Sequence, residues 1–537
     1  MKKYIENPIL KGSNPDPSIC RVGNDYYIAT STFEWFPGVR IHHSKDLKNW
    51  KTIAYPLRKK SQLDLKGVPD SCGVWAPCLS YYSGVFYLVF SNVKSFDGIW
   101  KDSPNYVVTS KNISGEWSDP IYLNSSGFDG SFFHEKGNIW YLNMLVDHRN
   151  GKFFGGIQLQ QFNIKSKALD GPIHYLTQGT KMGVSEGPHL YKHNKYYYLL
   201  LAEGGTEYEH ATTVLRSKSI TGPYEEHPKN PILTSKHNHK HPLQKTGHAS
   251  IVHTPNNTWY IVFLTARPLT TRGNCILGRE TAIEELSWKD GWPYLKSTLA
   301  RVKIPAPNFD RTALYTDTYK NHSVWENFDE NALSKEFQSL RIPVNKNWCS
   351  LKERPGFLRL YGKESLSSTH TQALIARRLE HFDVAVSTCI EFEPKTFQQL
   401  AGLVLYYNTG HYHYLYISTN GQDKELAIIS SDNFKIVEQE EKQLLKKGES
   451  ILLKATVSKS KLQFGFSTDQ ISFKNIGKTL DMNILSDDHV REGSERYRPA
   501  FTGCFVGICC QDLTTNKLHA DFDWFYYKEI ALKTSEL

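Results

Sequence analysis

One short motif recurs through the first 265 residues at an interval too regular for unrelated hairpins, and it limits what the chain can build. An aromatic–tyrosine–aliphatic triplet, or a close variant, follows a short polar turn five times. The copies are NDYYI (24–28), SGVFYL (83–88), GNIWYL (137–142), NKYYYL (194–199) and NNTWYI (256–261). Their central tyrosines, Tyr27, Tyr87, Tyr141, Tyr197 and Tyr260, are separated by 60, 54, 56 and 63 residues. The turns are rich in Asn, Asp, Gly and Lys and the following runs in β-formers, so each unit begins with a hairpin. Three units carry a later echo: SKDLKNW (44–50), SKNISGEW (110–117) and SKSITGPY (217–224). Repeats of this length with several strands each read as propeller blades, which stack radially and hide their sheet edges. Five copies imply five blades. Unconnected hairpins in a sandwich would explain the aromatics but not the spacing.

The repeats also share a register. Eleven or twelve residues before the central tyrosines stand Asp16, Trp75, Asp129, Glu186 and His248. The first strand of a blade lines the axial channel, so these five side chains are expected to converge. Asp16 lies between Pro15 and Pro17, which stiffen the backbone and remove a donor on either side. A surface turn would account for that stretch taken alone; membership of the ring gives the stiffness a purpose.

Three converging carboxylates repel one another and raise one another's pKa, a cost that suits a site needing one acid and one base. Glycoside hydrolysis is such a chemistry: a protonated carboxyl serves the leaving oxygen, and a carboxylate serves water or attacks directly. Trp75, with Phe33 and Trp35 from the loop TSTFEWFPG, could offer flat faces to a sugar ring.

NPDPSI, WAPCLSY, FDGSFFHE, SEGPHLY, GHASIV and LGRETAI, with WENFDENALSKEF and FTGCFVGICCQD further on, resemble the set carried by β-xylosidases of glycoside hydrolase family 43. The resemblance spans both halves of the chain. It implies an all-β protein, a five-bladed β-propeller followed by a jelly-roll-like β-sandwich, and an inverting mechanism. It implies Asp16 as general base, Glu186 as general acid, and Asp129 as the carboxylate that orients Glu186 and raises its pKa. Inversion leaves room for a water, so the Asp16 and Glu186 carboxyls are expected about 6.5–9.5 Å apart. Arg279 matches an arginine that contacts sugar and carboxylates, with Arg272 the alternative if the register slips.

Other residues keep two readings. His248 either hydrogen-bonds within the channel or holds a water on a divalent cation such as Ca2+; no cofactor is required. Thr206 and Glu207 either line the pocket or pack a loop. His237, His239 and His241, in KHNHKHP, read as a solvated loop.

Domain boundaries are expected at 1–305 for the propeller, 306–321 for a Pro-containing connector and 322–537 for the sandwich. The sandwich is either a sugar-binding module or, as the resemblance implies, a wall closing the channel. Phe501 is the candidate to reach the pocket, whereas Phe505 would lie along a packed strand. A walled pocket dictates exo action, releasing xylose from the non-reducing ends of β-1,4-xylo-oligosaccharides, with arabinofuranosides as plausible side substrates. The competing functions are an α-L-arabinofuranosidase or arabinan-degrading enzyme, and a non-catalytic glycan-binding propeller.

The 64 basic and 55 acidic residues are interspersed, without the charge blocks of a nucleic-acid arm. No apolar run reaches the ~20 residues of a membrane span. The odd count of nine cysteines, without a CxxC, favours reduced thiols, and with no leader-like N-terminus the expectation is a cytoplasmic protein. The resemblance adds homo-oligomerisation as a dimer or tetramer.

Overall fold

The computed structural model describes residues 4–307, 323–492 and 499–530. Five antiparallel sheets account for the first 295 residues. Blade I begins with Ser18–Val22, blade II with Gly73–Val74 and Cys78–Tyr82, blade III with Gly127–Glu135, blade IV with Ser185–His193 and blade V with Gln244–His253. Each of these inner strands packs on the next, and that of blade V packs on that of blade I, so the ring is closed. Closure is reinforced at the chain's start: Tyr4–Glu6 pairs with Lys303–Pro305, and the N–H groups of Ile9 and Leu10 donate to the Thr281 carbonyl of blade V.

The repeated motif has a packing reason. Its aromatics bridge neighbouring blades: Tyr27 meets Phe86 at 5.6 Å, Tyr87 meets Phe132 at 6.1 Å, Phe133 meets Tyr197 at 6.0 Å and Tyr198 meets Trp288 at 4.7 Å. Tyr26 and Tyr260 close the circle within one buried cluster. The three echoes cap a turn in the same way. Trp50 donates to Leu47 O, Trp117 to Ile113 O and Tyr224 to Ile220 O, at 2.9–3.3 Å.

The second domain is a sandwich of two antiparallel sheets of eight and nine strands among the described residues. Its core is built from alternate residues such as Leu358, Val386, Leu403, Leu415, Leu453 and Phe522. The connector expected at 306–321 lies outside the described residues, apart from Ala306 and Pro307.

The two domains share a sheet. Trp35–Phe36, from the blade I loop, pairs with Ser339–Leu340 at the edge of the nine-stranded sheet. Trp35 is fully buried and stacks on Phe505 with centroids 3.8 Å apart and planes at 10°. It is therefore not a sugar platform: its ring is a joint between the domains. Burying an indole removes some 150–250 Å² from water, about 4–6 kcal/mol of stabilisation before entropy. Buried charges reinforce the joint. Arg341 donates to Val68 O and Asp70, each at 2.7 Å, and Arg40 pairs with Glu336. Lys245, fully buried, meets Asp488 at 3.0 Å and Glu207 at 3.2 Å.

Candidate active site

At the register shared by the five repeats, strand pairing is interrupted in every blade. Asp16 precedes its strand, and Trp75 sits between the two pieces of its own. Asp129 and Gly130 are bulged out between Phe128 and Ser131, Gly187 and Pro188 between Glu186 and His189, and His248 between Gly247 and Ala249. The backbone there is left-handed, with φ of 56° at Asp16 and, within the bulges, 55° at Asp129, 54° at Gly187 and 44° at His248. Such bulges re-aim side chains, and left-handed non-glycine residues cost of order 1–3 kcal/mol each. The inner strands carry this strain at one height, where their side chains turn into the channel. At Gly187 a side chain is excluded twice: its φ is left-handed, and a Cβ would lie 2.8 Å from the His248 ring.

The channel widens there into a cavity of ≈ 450 Å³, the scale of a small-ligand pocket rather than a polymer groove. Asp16, Asp129, Glu186, Trp75, Phe33, His248, Arg279, Thr206 and Phe501 all line it. Asp16 accepts a hydrogen bond from Ser31 Oγ at 2.6 Å and one from Arg279 Nη1 at 3.3 Å. His248 Nδ1 stands 4.0 Å from the same carboxylate. Asp129 Oδ2 accepts the Gly187 N–H at 3.2 Å. Burial comes first, and repulsion from Asp16 and Glu203 next, in raising the Glu186 carboxyl to about 7. That shift is worth about 3 kcal/mol in favour of the neutral acid. Asp129 is pushed well above the usual carboxylate range, again by burial first and then by Glu186 and Asp16. The two acids repel each other and titrate as a pair that keeps a proton near neutrality. The histidines do the opposite: burial lowers His248, and lowers His210 to about 3, so both rings are neutral.

The sandwich supplies one wall. Phe501 sits 5.6 Å from Trp75 edge to face, and 5.9 Å from Phe33. Its N–H donates to Ser71 Oγ at 3.1 Å and its carbonyl accepts from Arg279 Nη2 at 3.4 Å. The Arg279 guanidinium lies 4.9 Å from the Phe501 ring, so it bridges Asp16, the sandwich wall and the channel. Gly278 and Gly503 make this approach possible: both have φ near 70°, and a Cβ on Gly503 would lie 2.8 Å from Gly278 Cα. Gly503→Ala is expected to destabilise the protein by about 1–3 kcal/mol and to displace Phe501. Thermal unfolding and a raised KM for small glycosides check this together.

Residues 5–293 match the family described as glycosyl hydrolases family 43, and residues 325–528 match the β-xylosidase C-terminal concanavalin A-like domain. A β-xylosidase of Bacillus subtilis is 48% identical over 98% of this chain and 99% of its own. The chain belongs to glycosyl hydrolase family 43. A xylosidase/arabinosidase of Humicola insolens is 46% identical to this family 43 chain, over 98% of each. The crystal structure of a xylan β-1,4-xylosidase from Bacillus halodurans superposes with a TM-score of 0.93 at 46% identity, covering 98% of this chain and all of that one.

Several expected neighbours stand elsewhere in this hydrolase. Arg272 lies outside the cavity, donating to Lys236 O and facing Glu209 at 3.6 Å. Glu207 packs against Lys245 and Arg491 at the domain joint while Thr206 alone lines the pocket. His237 and His239 are exposed. The cavity also has walls that the sequence reading missed: Phe96, Lys101, Phe128, Phe153, Met182 and His210. Phe128 is adjacent to Asp129 within the repeat and could have been found by register. The others come from irregular loops with no periodic signal.

Proposed function

We propose that this chain is an exo-acting, inverting β-xylosidase that removes single xylose units from the non-reducing ends of β-1,4-xylo-oligosaccharides. The observation that carries the reading is a small cavity, walled by Phe501, in which carboxyls from three separate blades meet beside one arginine. In this reading Glu186 protonates the glycosidic oxygen while Asp16, held in place by Arg279 and Ser31, draws a proton from the attacking water. The Gly187 N–H donates to Asp129 and offsets part of its upward shift, and this reading assigns the proton the two acids share to Glu186. Trp75, Phe33 and Phe501 exclude water and offer apolar faces to the sugar. Arg279 supplies the positive charge facing the base, so the reading needs no metal at His248.

Because the acid must be protonated, kcat/KM is expected to fall tenfold per pH unit above an alkaline limb near the Glu186 value of about 7. A pH–rate profile on xylobiose reads that limb. A non-catalytic glycan binder would have no use for three mutually repelling buried acids.

The name of the Humicola relative favours a second activity on α-L-arabinofuranosides, whose hydroxyls can present similarly to one pocket. Turnover of aryl β-xyloside and aryl α-arabinofuranoside, with the products of xylotriose, tests the choice. Stepwise xylose supports the proposal; a strong arabinoside preference overturns it. Nine free cysteines, eight of them buried, support a reducing cytoplasm as its place of action. A dimer or tetramer, proposed on family resemblance, is read by light scattering.

A further inference from the structure

We infer that His411, Asp432 and His489, in the sandwich, form a binding site for a borderline divalent cation of the zinc class. Their ligating atoms all lie within 4.8 Å of one another. His489 Nε2 is 2.8 Å from Asp432 Oδ1, and His411 Nε2 is 3.6 Å from the same oxygen. Nitrogen and oxygen ligands of a tetrahedral zinc, about 2.0–2.2 Å from the metal, stand roughly 3.3–3.5 Å from each other. To seat the ion, the His489–Asp432 pair would open by about half an ångström and the two imidazole nitrogens, within 4.8 Å of each other, would close towards that spacing.

The hydrogen bonding around His411 prepares it as a ligand. Asn408 Oδ1 accepts the Gly410 N–H at 3.0 Å, which identifies it as the amide oxygen. His411 Nδ1, 2.9 Å from that oxygen, must be the donor. The other ring nitrogen, Nε2, is the atom turned towards the Asp432 carboxylate. Metal-ligating imidazoles are held in this manner, with the far N–H donated to an oxygen. Two imidazoles and one carboxylate suit Zn2+, Co2+, Ni2+ or Cu2+ rather than Ca2+ or Mg2+, which prefer oxygen. His411 is buried while Asp432 and His489 are half-exposed, so water can complete the coordination.

The cluster joins two segments that each reach the catalytic pocket. The hairpin turn between Gln399–Asn408 and His411–Thr419 sends the Thr409 N–H to Asp70 Oδ2 at 3.3 Å. Asp70 precedes Ser71, whose carbonyl accepts from Trp75 Nε1 at 2.9 Å and whose hydroxyl accepts from the Phe501 N–H. His489 belongs to the helix Asp487–Glu492. There Asp488 accepts from Lys245 and from the Cys275 N–H at 2.8 Å, and Arg491 pairs with Glu207, next to Thr206. A bound ion would clamp hairpin and helix together from the sandwich side, without touching the carboxyls that react.

The test is calorimetric titration of Zn2+ into the metal-stripped, full-length protein. One saturable ion per chain is expected, with affinity reduced at least tenfold in His489→Ala and in Asp432→Asn. Replacing His237, His239 and His241 together should leave that affinity unchanged. Zn2+ should raise the thermal midpoint of the parent but of neither variant. Co2+ should give the visible bands of tetrahedral coordination in the parent alone. Asp432→Asn changes a half-exposed side chain at constant volume, so it keeps the test open if His489→Ala folds poorly. Absence of saturable binding, or binding that both variants retain, would overturn the inference.

Discussion

Glu186→Gln is expected to lower kcat on xylobiose by about 10²–10⁴-fold while leaving KM within a few-fold of the parent. Glutamine keeps the shape of the side chain but has no proton to give the leaving sugar. The loss should depend on the leaving group. A 2,4-dinitrophenyl xyloside departs as a stable phenolate without protonation, so this variant should hydrolyse it at close to the parental rate. The alkaline limb of the pH profile, which follows from the Glu186 carboxyl being raised to about 7, should disappear in the variant. An equal loss on both substrates would assign Glu186 a role other than proton donor.

Asp16→Asn should be as damaging, by about 10²–10⁴-fold, but indifferently to the leaving group, because the water needs its base whatever departs. Asparagine is the informative replacement. Asp16 has a φ of 56°, a conformation that asparagine adopts more readily than alanine does, and the amide can still accept from Ser31 Oγ. Arg279, which faces Asp16 at 3.3 Å, would lose a charge partner, so KM should also rise. Comparing the two variants on the dinitrophenyl substrate separates acid from base in one experiment. Retention of activity there by Asp16→Asn would refute its assignment as base.

The features that were legible in the sequence are those the fold repeats. Tyr27, Tyr87, Tyr141, Tyr197 and Tyr260 recur because each hairpin must pack on the next blade, and Asp16, Trp75, Asp129, Glu186 and His248 recur in register with them. Their shared cause is that the inner strand starts late or breaks at this height: blades III, IV and V bulge there with left-handed backbone, blade I begins after the left-handed Asp16, and blade II is split around Trp75. Trp35 was open to misreading because loop aromatics serve sugar and core equally well in composition. Its partner Phe505 lies 470 residues away, in a strand whose pairing no local pattern announces. Phe96, Lys101, Phe153 and Met182 escaped for a related reason: they sit in loops peculiar to one blade. His210 escaped because its isolated position carried no periodic cue, although its Nδ1 lies 3.0 Å from the Glu203 carbonyl at the cavity wall. Phe501 could be named only through family resemblance, since a wall contributed by a second domain leaves no trace in the propeller's own spacing.

The most direct measurement is time-resolved proton NMR of xylotriose during its first turnovers. The account predicts α-xylose as the first monomer, appearing with xylobiose before slow mutarotation to the β form. Initial β-xylose would mean that an acid in the cavity attacks the sugar itself, and would contradict the roles given to Asp16 and Glu186.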